Sequence, residues 1–186
     1  MTFLSASDII LVEFHEVGRR MKACFIGHRN IDDNEKLKFL LIQTVVDLIC
    51  KGVTTFLFGS KSEFDDLSWE VVTSLKNTYP YIKRVYVRSA YQYISKPYEK
   101  YLLGFYEETY FPAKLENAGK YTYVERNYAM IDNSTYCVFY YNENYVVPLK
   151  RRLKSDMLLQ RSRSSGTKIA YNYAVKKSKV IINLFR

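Results

Sequence analysis

The sequence predicts an α/β fold in which a mainly parallel sheet of about five strands is flanked by helices. Apolar runs of strand length recur along the chain, and amphipathic segments long enough for crossover helices separate the first three of them. Glycine directly follows the first two runs, as is typical where a buried strand ends in a turn. Strands joined by such helices lie parallel with right-handed connections, which predicts a Rossmann-like architecture.

Each predicted element can be placed along the chain. The predicted strands are residues 22–27, 54–58, 82–87, 136–141 and 180–185. The predicted helices span about residues 33–50, 63–79, 98–110, 124–131 and 165–177. Asp32 or Asp33 can cap the first helix, and Gly52 ends it. Residues 89–122 are rich in tyrosine and give the weakest pattern, and residues 142–163 are either partly helical or a loop.

Length and composition indicate one domain with a full hydrophobic core. The 186 residues are 48% apolar. We assign residues 21–186 to this domain and residues 1–20 to an N-terminal extension, because Met21 directly precedes the first strand. The formal net charge is +9, with 28 Lys and Arg against 19 Asp and Glu. This charge favours an anionic partner such as a nucleotide or nucleic acid, although a basic solvated surface explains it equally well.

Cysteine, histidine and apolar patterns argue against several classes of protein. The three cysteines show no CxxC spacing, which predicts buried free thiols in a reducing cytoplasm. His15 and His28 lie far apart in the sequence, so we expect no metal site. No apolar run approaches 18 residues, so we expect no membrane span and no membrane partner. The predicted location is the cytoplasm.

The first group of candidate ligand-binding residues follows the first strand. In an open parallel sheet, ligands bind beyond the carboxyl ends of the strands, where Gly27, His28 and Arg29 lie. A glycine there lets a ligand approach the backbone, and Arg29 can contact a phosphate with two hydrogen bonds. The alternative is a tight turn with an exposed arginine. No serine or cysteine nucleophile is paired with His28 in the sequence, so nothing marks it as a general base.

Two further groups lie where helices begin. Gly59, Ser60, Glu63 and Asp65 stand between the second strand and its helix, and Ser164, Ser165, Gly166 and Thr167 open the final helix. Free amides and hydroxyls at a helix N-terminus suit a phosphate. The two carboxylates either cap their helix or accept hydrogen bonds from ribose hydroxyls. Neither loop matches a Walker A or a GxGxxG motif, so each signal alone is weak.

Taken in chain order, four motifs resemble the SLOG superfamily, the Smf/DprA–LOG group of Rossmann-like proteins, and most closely its YpsA-like branch. The motifs are CFIGHR at 24–29, FGSKSEFD at 58–65, ERNYAMIDNS at 125–134 and SSGTKIAYNYA at 164–174. The resemblance spans nearly all of residues 21–186. It implies a nucleotide or nucleotide-derived ligand held by the two glycine-bearing loops, and it implies that Arg126 faces this ligand.

The chain also departs from this family's pattern. Ser60 and Ser165 each stand where the family usually has a glycine, so extra side chains narrow the implied phosphate cradle. In the LOG branch, which hydrolyses nucleoside monophosphates, a glutamate follows the Gly-Thr pair by three residues, and here that position is Ala170. The resemblance therefore implies weakened or absent catalysis. Glu63 and Arg126 are weak catalytic candidates, and Glu70 is a further carboxylate that could substitute.

The leading expectation is a module that binds a nucleotide or ADP-ribose-like ligand at the carboxyl ends of the strands. Its role would be that of a sensor, a regulator, or a bacterial or phage defence or counter-defence component. One alternative is a phosphoribohydrolase of the LOG type. A second is a nucleic-acid binder of the DprA type, favoured by the net charge and the basic stretch 150–163. We expect no cofactor, and a homodimer or higher homo-oligomer formed through the tyrosine-rich middle.

Overall fold

The computed structural model describes residues 21–32, 34–59, 61–116, 118–145 and 165–185. The predicted extension 1–20 and the basic stretch 150–163 lie outside these ranges, as do the candidate site residues Ser60 and Ser164.

The described chain forms one six-stranded sheet in which every strand pair is parallel. The strands are β1 (Met21–Gly27), β2 (Val53–Phe58), β3 (Lys83–Val87), β4 (Glu108–Tyr110), β5 (Tyr136–Tyr140) and β6 (Val180–Asn183). Their order across the sheet is β4-β3-β2-β1-β5-β6. This confirms the predicted α/β fold, with one strand more than the five expected.

Within the described ranges, five α-helices connect the strands. They are α1 (Asn34–Cys50), α2 (Glu63–Leu75), α3 (Lys96–Leu103), α4 (Thr122–Asp132) and α5 (Gly166–Lys176), with short 3₁₀ turns at Ala113–Leu115 and Gly119–Tyr121. Gly52 has a φ of +88°, a left-handed conformation that favours glycine, and it terminates α1 as predicted.

The helices cover both faces of the sheet, and each face has its own core. Side chains alternate along β1, so Phe25 joins α1 and α2 in one core, whereas Cys24 and Ile26 join α4 and α5 in the other. The first core is rich in aromatic rings, and the rings of Phe25 and Phe58 lie 5.2 Å apart. Of the three predicted buried thiols, Cys24 and Cys137 are buried but Cys50 is exposed, because it stands at the end of α1 and on its solvent side.

The predicted helix over residues 98–110 is wrong in its second half. Helix α3 starts earlier, where Ser95 accepts a hydrogen bond from the Tyr98 N–H and Pro97 occupies the first turn. It ends at Gly104, and the chain then adds β4 to the edge of the sheet beside β3.

The strand order places a topological switch point between β1 and β5. From β1 the chain builds outward through β2, β3 and β4, and it then crosses to the other side of β1 to add β5 and β6. The loops that follow β1 and β5 therefore diverge, which leaves a crevice beyond the carboxyl ends of the strands.

Candidate functional site

Arg126, in α4, lies over the end of β2 and is almost fully buried, with 3% of its surface exposed. Its side chain fits there because residue 59 is glycine. A Cβ atom on Gly59 would lie 2.8 Å from both Cδ and Nη1 of Arg126 and 2.9 Å from the Val87 carbonyl oxygen. Gly59 after β2 and Val87 at the end of β3 therefore both lie close to the Arg126 guanidinium. A larger residue at position 59 would displace the Arg126 side chain.

The guanidinium of Arg126 is incompletely satisfied by the described residues. Its Nε donates to Asn127 Oδ1 at 3.0 Å, and its cationic centre lies 6.0 Å from the Tyr123 ring. Nη1 is buried without a hydrogen-bond partner among these residues. Burial lowers the pKa of Arg126, and the nearby Asp65 carboxylate is the main group that opposes this shift. An unsatisfied buried donor costs about 1–3 kcal/mol, which calls for an explanation such as an external acceptor.

The first turn of α2 supports the loop that follows β1. Ser62 is the N-cap residue, and its Oγ accepts from the Asp65 N–H at 3.1 Å. The Glu63 N–H donates to the Arg29 carbonyl oxygen at 2.9 Å, and the Glu63 carboxylate accepts from the Ile31 N–H at 2.9 Å. Glu63 therefore links α2 to the loop after β1. The backbone N–H groups of Glu63 and Asp65, which were predicted to suit a phosphate, are already hydrogen-bonded within the protein.

Asp65 is the buried carboxylate of this region. It lies in the first turn of α2 together with Glu63 and Asp66, so this helix N-terminus is already rich in negative charge. Asp65 also interacts electrostatically with the Arg126 guanidinium and with the Tyr86 hydroxyl. A carboxylate next to a buried guanidinium suits a ligand that presents both a donor and an acceptor, as a ribose phosphate does.

Gly27 and Arg29 have roles that differ from the simplest prediction. A Cβ atom on Gly27 would lie 2.4 Å from Cδ1 of Phe64, so packing against α2 accounts for this glycine. The Arg29 side chain is exposed at the rim of the crevice, where both the predicted phosphate contact and the solvated alternative stay open.

His28 is buried between the loops that follow β1 and β5, with 2% of its surface exposed. Its Nε2 accepts from the Asn142 N–H at 2.9 Å, and its ring stacks on Tyr145 with centroids 3.9 Å apart. Because Nε2 is an acceptor, the neutral ring carries its proton on Nδ1, which has no partner among the described residues. Burial lowers the pKa of His28, against the opposing effect of the Asn142 backbone, so the ring is neutral near pH 7.

The N-terminus of α5 differs from that of α2 in charge. Its first turn holds no acidic residue, and Ser165 Oγ caps it by accepting from the Lys168 N–H at 3.1 Å. Thr167 Oγ1 donates to the Gly27 carbonyl oxygen at 2.9 Å, which ties the start of α5 to the end of β1. No atom of the described residues lies within 4 Å of a Cβ built on Gly166. Because its first turn holds no acidic side chain, the start of α5 is the more suitable of the two helix N-termini for an anion.

The positions considered for a catalytic carboxylate do not meet Arg126. Ala170 is buried in the core formed by α4, α5 and the sheet, and Glu70 forms an exposed ion pair with Lys38 at 2.6 Å. Glu63 is held by the Ile31 amide. The structure thus brings Gly59, Asp65 and Arg126 together on one side of β1. The other described residues that were predicted to bind the ligand lie at or beyond the carboxyl end of β1.

Four tyrosine and asparagine residues that the sequence did not single out contribute to these two regions. Tyr86 and Tyr123 lie beside Arg126, and Asn142 and Tyr145 enclose His28. No spacing marks them, because the chain holds 18 tyrosines. A cleft of about 440 Å³ also opens beyond β5 and β6. Its lining residues are Tyr141, Asn142, Glu143, Asn144, Lys168, Tyr171, Asn172, Asn183 and Phe185.

The described residues show neither a metal-binding cluster nor a membrane-spanning helix. They contain no group of three or more His, Cys, Asp or Glu side chains placed to hold a metal ion. None of their helices is both long enough and apolar enough to cross a membrane.

Comparison of the chain with protein-family models and with curated proteins gave no match. Its similarity to the SLOG superfamily therefore stays a prediction from the four motifs.

Proposed function

We propose that this chain binds a nucleotide or a nucleotide-derived, ADP-ribose-like ligand beyond the carboxyl ends of its strands. In this proposal it acts as a sensor, a regulator, or a defence or counter-defence module. The observation that carries the proposal is the buried Arg126 guanidinium, whose Nη1 has no partner among the described residues. A phosphate oxygen is the acceptor that a guanidinium binds best, since the paired hydrogen bonds are assisted by charge.

The surroundings of Arg126 favour a phosphate that belongs to a sugar rather than inorganic phosphate. Asp65 is buried beside the guanidinium and is an acceptor when ionised, so it suits a ribose hydroxyl. The start of α5 offers a second position for an anion, with no acidic side chain in its first turn. Both positions lie at the carboxyl ends of the strands, where open parallel sheets bind ligands.

Thermal unfolding with AMP, NAD and ADP-ribose tests this proposal directly. At a ligand concentration of about 100 times Kd, binding stabilises the fold by about 2.7 kcal/mol, which raises Tm by about 5–10 °C for a chain of this size. We expect Arg126→Met to abolish this rise. The same change leaves the buried Asp65 carboxylate without the nearby positive charge, so we also expect it to lower the Tm of the free protein.

Arg84→Met is the matched control. Arg84 is a partly buried arginine of β3, but its guanidinium is paired with Glu107 at 2.7 Å. We expect its loss to lower Tm while the ligand response is retained. If none of the three compounds raises the Tm of the unaltered protein, or if Arg126→Met responds as the unaltered protein does, the proposed site is wrong.

Hydrolysis of an N-glycosidic bond is the alternative activity for the same site. Three observations argue against hydrolysis: Ala170 is buried in the core, the Glu63 carboxylate is bonded to a backbone N–H, and Glu70 is paired with Lys38. Asp65 is then the carboxylate near Arg126. Release of free adenine from AMP, NAD or ADP-ribose, detected by chromatography, would establish turnover. Binding without release supports the binding module.

Nucleic-acid binding is favoured by one observation, the distribution of charge. Residues 146–186 hold 11 of the 28 Lys and Arg but one of the 19 Asp and Glu, so the positive net charge of the chain is concentrated there. Such asymmetry is typical of segments that contact polyanions.

A further inference from the structure

The loop that follows β3 presents two tyrosines to solvent. This segment, residues 88–95, is called the tyrosine loop below, and it leaves the sheet at the edge where Arg126 lies. Tyr91 is 77% exposed and Tyr93 is 85% exposed. Single exposed aromatic rings are common on protein surfaces, so their exposure alone assigns nothing.

The backbone of the tyrosine loop is held in an unfavourable conformation. Tyr91 has a φ of +60°, in the left-handed region that a bulky side chain rarely adopts. Arg88 Nη1 donates to the carbonyl oxygens of Tyr91 and Gln92 at 3.0 and 3.2 Å, and the Gln92 side chain is bonded to Glu116. The loop therefore fixes an exposed tyrosine at a position where glycine or asparagine would be less strained. Strain of this kind clusters at ligand-binding segments.

The tyrosine loop starts beside the Arg126 site, and it ends near Tyr86, which is itself close to Arg126. At the start of the loop, the Val87 carbonyl oxygen and Arg126 Nη1 lie 2.9 and 2.8 Å from the position that a Cβ atom on Gly59 would occupy. Tyr86, one residue earlier, is within electrostatic reach of both Arg126 and Tyr98, and Tyr98 belongs to the first turn of α3, just after the loop. Four residues reach at most about 14 Å, so Tyr91 cannot be further than this from Val87.

We infer that the tyrosine loop is the base-binding part of the Arg126 site, so that the ligand is a nucleoside phosphate whose base stacks on Tyr91 or Tyr93. This inference rests on the proposed function. It adds a component that Arg126 and Asp65 do not supply, since these two side chains contact a phosphate and a sugar. Stacking uses the face of a base rather than its hydrogen-bonding edge, so purines and pyrimidines should bind with similar affinity.

Isothermal titration with two probes separates the base from the rest of the ligand. AMP carries phosphate, ribose and base, whereas ribose 5-phosphate lacks the base. We expect at least one of the variants Tyr91→Gly and Tyr93→Ala to weaken AMP binding about tenfold, and both to leave ribose 5-phosphate binding unchanged. Tyr91→Gly should also raise Tm, because glycine relieves the left-handed strain, so a loss of AMP binding there cannot reflect unfolding.

Tyr81→Ala is the matched control, because Tyr81 is an exposed tyrosine that precedes β3 and so lies at the opposite end of the strand. It should bind AMP as the unaltered protein does. Unchanged AMP affinity in both loop variants would overturn the inference while leaving the proposed function in place. So would an equal loss of ribose 5-phosphate binding. If the unaltered protein binds neither probe, this inference fails, whereas the proposed function fails only if NAD and ADP-ribose do not bind either.

Discussion

Gly27 and Gly166 are both glycines of predicted ligand loops, yet the structure gives them different constraints. A Cβ on Gly27 would overlap the Phe64 ring, whereas a Cβ on Gly166 would meet no atom of the described residues within 4 Å. We expect Gly27→Ala to lower the free energy of unfolding by about 1–3 kcal/mol through overpacking. Gly166→Ala, in the first turn of α5, should be neutral or stabilising by up to about 1 kcal/mol. Denaturant unfolding measures both, and equal effects would contradict the packing argument.

The sequence could mark Gly27 as important but could not supply the reason. A glycine after an apolar run predicts a turn or a ligand contact, and the Phe64 ring that requires it belongs to a helix 37 positions away along the chain. Arg126 shows the same limit in reverse. Its motif is an ordinary charged helix face, and its burial against Gly59 depends on how α4 crosses the ends of β2 and β3.

The buried ring of His28 makes stability depend on pH. Because burial lowers the folded-state pKa below the ordinary value of 6.5, the neutral ring contributes stability above pH 6.5. That contribution is lost as the pH falls through the lowered pKa. We expect Tm to fall between pH 7 and pH 5 and to fall less in His28→Gln, which keeps an acceptor for the Asn142 N–H. Nε2 also lies 3.2 Å from the Asn142 carbonyl oxygen, so a protonated ring keeps one partner and the fold should loosen rather than unfold. Parallel pH profiles for the two proteins would contradict this account.

At the scale of elements, an ion-pair network attaches the edge strand β4 to β3. Glu107 accepts from the Arg84 backbone N–H and side chain, and Lys76 Nζ lies 3.2 Å from it. Burial alone would raise the pKa of Glu107, but these partners outweigh it and lower the pKa to about 2. The stabilisation is therefore present above the ordinary pKa of 4.5 and is lost as the pH falls through 2.

Glu107→Gln tests this attachment. We expect a loss of about 1 kcal/mol at pH 7, because the side chain is 29% exposed and solvent screens the pairs. The difference between the two proteins should shrink as the pH approaches 2. Lys38→Met is the control, since it removes an exposed pair with Glu70 that should contribute little. A loss in Glu107→Gln no larger than in this control would show that the network does not hold the edge.

The other strands and most helices could be predicted because each buries an apolar run or an apolar face. Strand β4 lacks that signal. It has three residues, pairs with β3 on one side only and leaves Glu108 exposed, so neither alternation nor an apolar run marks it. Its place at the edge of the sheet is decided by its pairing with β3 and by the Arg84–Glu107 contact. Both interactions join residues 23 positions apart in the sequence.

For the whole molecule, the concentrated charge allows the nucleic-acid alternative to be tested. Each phosphate contact with a single strand changes the slope of log K against log salt by about 0.7. The test variant replaces Lys150, Arg151 and Arg152 by serine, and its control replaces Lys36, Lys38 and Lys51. If the chain binds single-stranded DNA, the test variant should flatten the slope by about 2 and the control should not. An affinity that does not change with salt in the unaltered protein excludes the electrostatic alternative.

The central position of β1 also has a consequence during synthesis. Its partner β2 follows within about 30 residues, but β5, which pairs Tyr136 with Ala23, follows more than a hundred residues later. At about 5–20 residues per second, a ribosome takes roughly 5–20 s to cover that distance. During this time, the edge of β1 that later pairs with β5 has no hydrogen-bonding partner strand. Such an edge attracts other chains, so the nascent protein should depend on chaperones until β5 emerges and pairs with it.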